Sequence, residues 1–433
     1  MPQPTAELVP LVIVEGFLST GAPLLWGNFE EYTNLTVTSD QELPRRRVIF
    51  ASVGPVSSLH DRACELYHAL IGGTVDYGED HARQNKHARY GRNHAEGLYP
   101  NWSRENPLHF LGHSLGGPTI VKLQWLISIG FFGETVHPDM LLSVNTVSSP
   151  FRGTQLVYSL GEEVACAPSV RPFSIGALLT KGVHLISYLS PLIPILDLHA
   201  EARSLAYHTT SFRTFLQQLW HSQWAEGKDS TPYDVTFQAA DEREANLEGV
   251  PSKGTFYMSW VACMTEADDN APHRGPALGH AVFNPALYIL SSIMYYFDFS
   301  VIHPIPSALA LTDHTNTQHP QLSLNNNRNI TLRANDGVVP LFSQWHPFDC
   351  NTTRCRHHTW ATADSQFDLE CPEAELFTAQ EPGLWNVFCI QDANHFSIVP
   401  FWFGTSRQRR FWKDIGLWLR SIDTIRIAKN VKV

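Results

Sequence analysis

Residues Gly112-His113-Ser114-Leu115-Gly116 place a serine midway between two glycines. A serine hydroxyl is a weak nucleophile. It becomes a competent one when an imidazole removes its proton and a carboxylate holds that imidazole in one tautomer. The G-x-S-x-G pattern is short, so its neighbours decide its meaning. The apolar run "PLHFLGH" leads into it, and "GGPTIVKLQWLISIGF" leaves it with apolar residues at helical spacing. A strand entering a sharp turn and a helix leaving it is the setting in which such a serine projects its hydroxyl. Gly112 and Gly116 let strand and helix approach closely, and the Leu115 amide, at the start of the helix, faces a developing oxyanion.

In a strand–turn–helix site of this kind the chain order is serine, acid, histidine. Asp336 lies in "RNITLRANDGVVP", where it is expected to end an apolar strand; an ordinary Asn-Asp-Gly turn is the plainer reading. His395, in "CIQDANHFS", follows the next apolar run. Of the 21 histidines, His346, His357 and His358 are its nearest rivals, and the last two sit in a polar stretch read as a loop with no strand before it. Phe17, in "VEGFLSTG", is placed to offer a second oxyanion amide, with its ring at the mouth of an acyl pocket; simple core packing is the alternative.

These residues need a scaffold. "LVPLVIV", "RRRVIFASVGP", "PLHFLGH", "DMLLSVNTVSSP", "GTFYMSWVA", "RNITLRAN" and "NVFCIQDANH" read as strands, the continuous apolar ones buried on both faces. Between them lie helical segments such as "SSLHDRACELYHALIGG", with Ser58 as the starting cap and Gly72 and Gly73 at the end. The alternation predicts an α/β fold with a mostly parallel central sheet and helices on both faces. Two regions interrupt it: residues 72–105, poor in aliphatics, and a mostly helical stretch over 155–250. No linker-like composition break appears, so residues 1–433 are read as one elaborated domain.

The net charge of −11 argues against nucleic acid and anionic membrane surfaces as main partners. The longest apolar stretch, 183–198, is interrupted by polar and charged side chains and by Pro191 and Pro194, so no transmembrane segment is expected. The N-terminal apolar run has no basic residue before it, which predicts a cytoplasmic protein, with secretion as the alternative. The seven cysteines are then read as free buried thiols, although the four at 350, 355, 371 and 389 could pair in a secreted chain. Glycosylation sequons at Asn34, Asn101, Asn329 and Asn351 matter only in that second case.

Residues 54–92, "GPVSSLHDRACELYHALIGGTVDYGEDHARQNKHARYGR", closely resemble a segment of the thermoalkalophilic bacterial lipases of family I.5 and their staphylococcal relatives. "GHSLGG", "SSPFRGT", "YDVT", "NDGVV" and "NHFSI" match in the same order, so the resemblance runs from about residue 9 to 400 and is strongest in the first third. It implies an α/β-hydrolase fold and hydrolysis of long-chain carboxylic esters such as acylglycerols, at a lipid–water interface. It makes Ser114 the nucleophile, Asp336 the acid and His395 the base, with Phe17 and Leu115 as oxyanion amides. It also implies a structural zinc ion held by Asp61, His81, His87 and Asp229, which would let the insertion at 72–105 fold. A helical lid is implied over about 155–230, the apolar segment 177–200 falling on it; a buried helix pair is the alternative.

Two departures stand out. Glu15-Gly16 replaces the usual His-Gly before the oxyanion Phe17, so a carboxylate lies near the oxyanion site unless a donor engages it. Ser397 and Trp402 occupy the places of the family's calcium ligands, so a bound calcium is not expected. The reading is a serine lipase or carboxylesterase. The competing readings are an acyltransferase with the same triad, a non-catalytic lipid-binding protein on the same fold, and an enzyme whose zinc is catalytic.

Overall fold

The computed structural model describes residues 8–19, 26–34, 44–192, 197–199, 201–203, 205–266, 275–309, 332–359, 380–399 and 404–430. Its central sheet follows from the alternation along each apolar run. In β1 (Leu11–Val14), Val12 and Val14 enter one core while Leu11 and Ile13 enter another on the opposite face. A strand covered on both sides has no polar face, which is why its sequence is apolar throughout. Strands β5 (Leu108–His113), β6 (Leu141–Val147) and β7 (Phe256–Cys263) are likewise wholly buried, and the polar residues His109, Ser143, Asn145, Thr146 and Ser259 among them take part in buried hydrogen bonds. With β2 (Val48–Ala51), β8 (Cys355–Thr359) and β9 (Trp385–Gln391), they form a seven-stranded sheet in the order β2-β1-β5-β6-β7-β9-β8, every pair parallel.

On one face lie α2 (Leu59–Ile71) and α4 (Gly116–Ser128), contributing Ala63, Leu66, Leu70, Ile120, Leu123 and Ile127 to the first core. Ser58 caps α2 by accepting the Asp61 N–H, and Gly72 ends it at φ 92°. On the other face lie α1 (Phe29–Thr33) and the C-terminal helix Ser406–Asn430, which supplies Trp412, Ile415, Trp418, Leu419 and Ile422. A buried network locks that helix to the sheet. Arg46 donates to Asp423 Oδ2 at 2.7 Å, and His109 Nε2 pairs with Asp423 Oδ1 at 3.1 Å.

The aliphatic-poor insertion is an antiparallel pair, β3 (Gly73–Asp76) with β4 (Tyr90–His94), with α3 (Glu79–Asn85) between them. The helical region carries Ile175–Leu189, whose Thr180, Val183, His184 and Ser187 face inward while Leu178, Leu179 and Leu185 face solvent. An outward apolar stripe is the reverse of a buried helix pair.

Three expectations need correction. No strand forms over 332–335: Leu332 and Arg333 are helical, and Asn335 makes only an isolated bridge to Pro340. The reason is local. The Asn335 side chain accepts the Gly337 N–H and Asp336 accepts those of Val338 and Val339, a set of bonds that competes with a ladder. Conversely, His357 and His358 lie on β8, an edge strand whose polar sequence hid it. Among the described cysteines all are free, but Cys166 is exposed, and Cys350, Cys355 and Cys389 are only half-buried; Cys371 lies outside the described residues.

Candidate active site

Ser114 sits at the end of β5 with φ 53°, a left-handed conformation that costs an L-residue of order 1–2 kcal/mol. The fold over-determines it. Its N–H donates to Val147 O of the neighbouring strand at 2.8 Å, and its carbonyl accepts Gly117 N–H at 3.2 Å. A Cβ on Gly112 would lie 2.4 Å from Gly117 N, and one on Gly116 would lie 2.0 Å from Val14 O, so neither neighbour of the serine tolerates a side chain. The loop after β1 presses on the same turn: an ideal Cβ on Gly16 would sit 2.7 Å from Ser114 Cβ and 3.2 Å from its Oγ. Phe17, the next residue, is 37% exposed, which is a rim position and not core packing. Leu115 is buried at the start of α4.

Arg62 organises this corner and escaped sequence reasoning. It is wholly buried in α2, where its Nε donates to Thr119 Oγ1 at 2.9 Å and its Nη1 to Gly54 O at 2.7 Å; its Nη2 donates to Glu15 O. Thr119 in turn donates to Leu115 O at 2.8 Å. One guanidinium thus ties together the loops after β1 and β2 and the first turn of α4. Burial lowers its pKa to about 10, so it stays charged at neutral pH. The nearby Glu15 carboxylate is engaged by Trp26 Nε1 at 2.6 Å and by the Ser19 hydroxyl.

Asp336 and His395 are brought together. His395 Nδ1 lies 2.9 Å from Asp336 Oδ2, while Oδ1 accepts Val338 and Val339 N–H at 2.9 and 2.8 Å. The His395 N–H also donates to Asp336 O at 2.9 Å. Both side chains are buried. With its Nδ1 facing a carboxylate, the imidazole carries its proton there and leaves Nε2 free to act as a base. His113, the residue before the serine, donates from Nε2 to His395 O at 3.1 Å, docking the histidine loop against the serine turn. Burial, with the neighbouring His395, lowers His113 to about 3, so it remains a neutral donor.

Asp61, His81, His87 and Asp229 also converge, their ligand atoms all within 4.8 Å of one another. His81 Nε2 lies 3.1 Å from Asp61 Oδ1 and 3.2 Å from Asp229 Oδ1, and His87 Nε2 lies 3.3 Å from Asp229 Oδ2. His87 Nδ1 donates to Ala88 O at 2.8 Å, which orients the ring with Nε2 toward the quartet. That Nε2 and Asp229 Oδ1 are buried without a hydrogen-bond partner, as metal-facing atoms are. Arg203 braces the other oxygens, donating to Asp61 Oδ2 at 2.9 Å and to Asp229 Oδ2. The quartet joins α2, the insertion and the loop before Thr231–Asp234, and it can hold a metal ion. Of the calcium positions, Ser397 Oγ accepts Asn394 N–H at 2.7 Å, and Trp402 lies outside the described residues.

The sequence profile of the family described as "Lipase-like, C-terminal domain" matches residues 7–247. A lipase of Staphylococcus hyicus is 27% identical over 241 residues, covering 52% of this chain and 35% of that protein. Lipase 2 of Staphylococcus aureus is 33% identical over 175 residues, covering 36% and 25%. These alignments thus span about a third or less of the curated relatives' length. The crystal structure of Staphylococcus hyicus lipase superposes with a TM-score of 0.65 at 20% identity, covering 98% of both chains. EstA from Clostridium botulinum gives 0.62 at 25% identity, covering 97% of this chain and 89% of its own. With a parallel sheet shared with these structures and a profile match over more than half its length, the chain belongs to the lipase-like C-terminal domain family.

Proposed function

We propose that the chain is a serine carboxylic ester hydrolase of lipase type, cleaving long-chain acyl esters such as acylglycerols. The observation that carries this is the buried Asp336–His395 pair, docked through His113 onto the strained turn that bears Ser114. In the first half-reaction His395 Nε2 takes the Ser114 proton as Oγ attacks the ester carbonyl. Asp336 holds the imidazole tautomer and stabilises its charged form. The amides of Phe17 and Leu115 receive the oxyanion of the tetrahedral intermediate. His395 then gives its proton to the departing alcohol. Water, deprotonated by the same imidazole, releases the fatty acid and restores Ser114.

An apolar substrate suits the surface around the helical region. Phe173, Leu178, Leu179 and Leu185 are exposed on and beside helix Ile175–Leu189, as are Leu278, Val282 and Phe283 on helix Leu278–Phe283. Apolar side chains left exposed along a helix face, as Leu178 and Leu185 are, suit a lipid- or protein-binding surface. Zinc at Asp61, His81, His87 and Asp229 fits the mixed N/O donor set; with four protein ligands its chemistry is cross-linking, with no open position for substrate.

The test pairs a fluorophosphonate probe with a p-nitrophenyl ester series of increasing chain length, on wild type and Ser114→Ala. The expected result is labelling of wild type alone and loss of turnover by ~10⁴-fold or more in the variant. Undiminished ester cleavage by folded Ser114→Ala would sink the proposal.

A further inference from the structure

We propose that His346, Cys350, Cys355 and His357 form a second metal centre, a tetrahedral zinc site with two thiolate and two imidazole ligands. Cys350 Sγ lies 3.4 Å from His346 Nε2 and 3.6 Å from His357 Nε2. All four ligand atoms, the two sulfurs included, fall within 4.8 Å of one another. A zinc ion with bonds of about 2.3 Å to sulfur and 2.0 Å to nitrogen has ligand–ligand edges of roughly 3.5 Å. The side chains thus stand at nearly the spacing such an ion imposes.

Local structure accounts for the convergence. Between Cys350 and Cys355 the chain turns back tightly, Asp349 O accepting the Thr352 and Thr353 N–H groups at 3.0 Å. Cys355 and His357 are two apart on β8 and therefore share a face of the strand. Both cysteines are free thiols, so no disulfide uses them up. Two thiolates and two neutral imidazoles cancel a dication, and His346 is almost fully buried, where an unbalanced charge would be costly. Sulfur–nitrogen donors of this softness select zinc over calcium or magnesium.

All four positions come from protein, so the centre is structural. What it joins is specific. His346 and Cys350 end the segment that begins at Asp336, and Gln344 within it clamps both backbone groups of Ala262 on β7, at 2.9 and 3.0 Å. Cys355 and His357 lie on the edge strand, whose one neighbour, β9, leads to His395. The ion would staple the acid-bearing segment to the edge of the sheet beside the histidine strand.

Cobalt(II) reconstitution of the full chain tests this, because a thiolate–cobalt charge-transfer band arises only where sulfur ligates. The Asp61 quartet contains no sulfur. The expected band reaches one equivalent per chain, persists in His87→Ala and disappears in Cys355→Ser. Should Cys355→Ser fail to fold, a mercurial titration of wild-type protein with a zinc indicator replaces it: one zinc is expected to leave in step with thiol blocking. The proposal is overturned if folded wild type shows no thiolate band, if thiol blocking releases no zinc, or if reduced, zinc-supplemented protein carries a Cys350–Cys355 disulfide.

Discussion

At the scale of single residues, the site is built from atoms whose alternatives are closed off. Asp336 uses one carboxylate oxygen on two backbone amides and the other on His395. In Asp336→Asn the amide oxygen can still serve the backbone, which turns its NH₂ toward the imidazole. The ring must then hold the wrong tautomer. The expected outcome is a loss of ~10⁴-fold in kcat with unchanged thermal stability, read by single-turnover kinetics and calorimetry. Gly16→Ala acts on position instead. Its Cβ would lie 2.7 Å from Ser114 Cβ, so the serine or the oxyanion loop must shift. A displacement near 1 Å costs on the order of 10²-fold. That loss should fall on kcat more than on KM, and an unchanged kcat would show that the loop does not bear on the nucleophile.

At the scale of elements, what the sequence disclosed follows from how local each signal is. The turn at Ser114 was legible because strand, turn and helix are contiguous and each obeys its own periodicity. His395 was legible through chain order and the apolar run before it. The pairing of Asp336 with His395 was anticipated for a partly mistaken reason: residues 332–335 before it form no strand, because Asn335 and Asp336 bond their own backbone. Strand β8 was missed because an edge strand has one neighbour and tolerates the polar sequence Cys355–Thr359. Arg62 was invisible for another reason: a buried arginine differs from a surface one only through partners far away in the chain. The Arg46–Asp423 pair, 377 positions apart, is of the same kind. Removing one partner there strands a buried charge, so Asp423→Ala should cost about 3–5 kcal/mol in urea unfolding and loosen the C-terminal helix. The insertion illustrates the converse. Its described strands and helix bury few aliphatics, chiefly Val75 and Ala82, so the proposed ion at Asp61, His81, His87 and Asp229 would supply the cross-link that packing does not. Chelation should lower the melting temperature and expose β3–β4 to protease, while the esterase activity of molecules still folded is retained; prompt inactivation of a fully folded chain would assign the metal to the chemistry.

At the scale of the whole molecule, buried titratable groups set how stability responds to acid, and they do not all act in one direction. Burial lowers His109 and His184 to about 4, and burial together with His395 lowers His113 to about 3. Each is neutral in the folded chain and takes up a proton on unfolding below its ordinary pKa of about 6.5. Their stabilisation is complete above that value and is lost as pH falls toward 4 and 3. Burial raises Asp234 and Glu162 to about 7, which has the opposite sign: those carboxyls hold protons in the folded chain and lose that advantage as pH rises from 4 to 7. Near pH 5 His60, which burial also lowers to about 4, joins these three histidines, so proton uptake on unfolding outweighs release and stability falls as the solution is acidified. His184 isolates one component, since burial alone shifts it and its Nε2 meets Ser222 Oγ at 2.7 Å, a bond that glutamine can reproduce. His184→Gln should leave the urea midpoint unchanged at pH 8. Between pH 6 and 4 it should remove a destabilisation that grows by about 1.4 kcal/mol per unit in wild type. If the two proteins follow parallel curves across that window, His184 is not the neutral, buried group that its position on the inner face of helix Ile175–Leu189 requires.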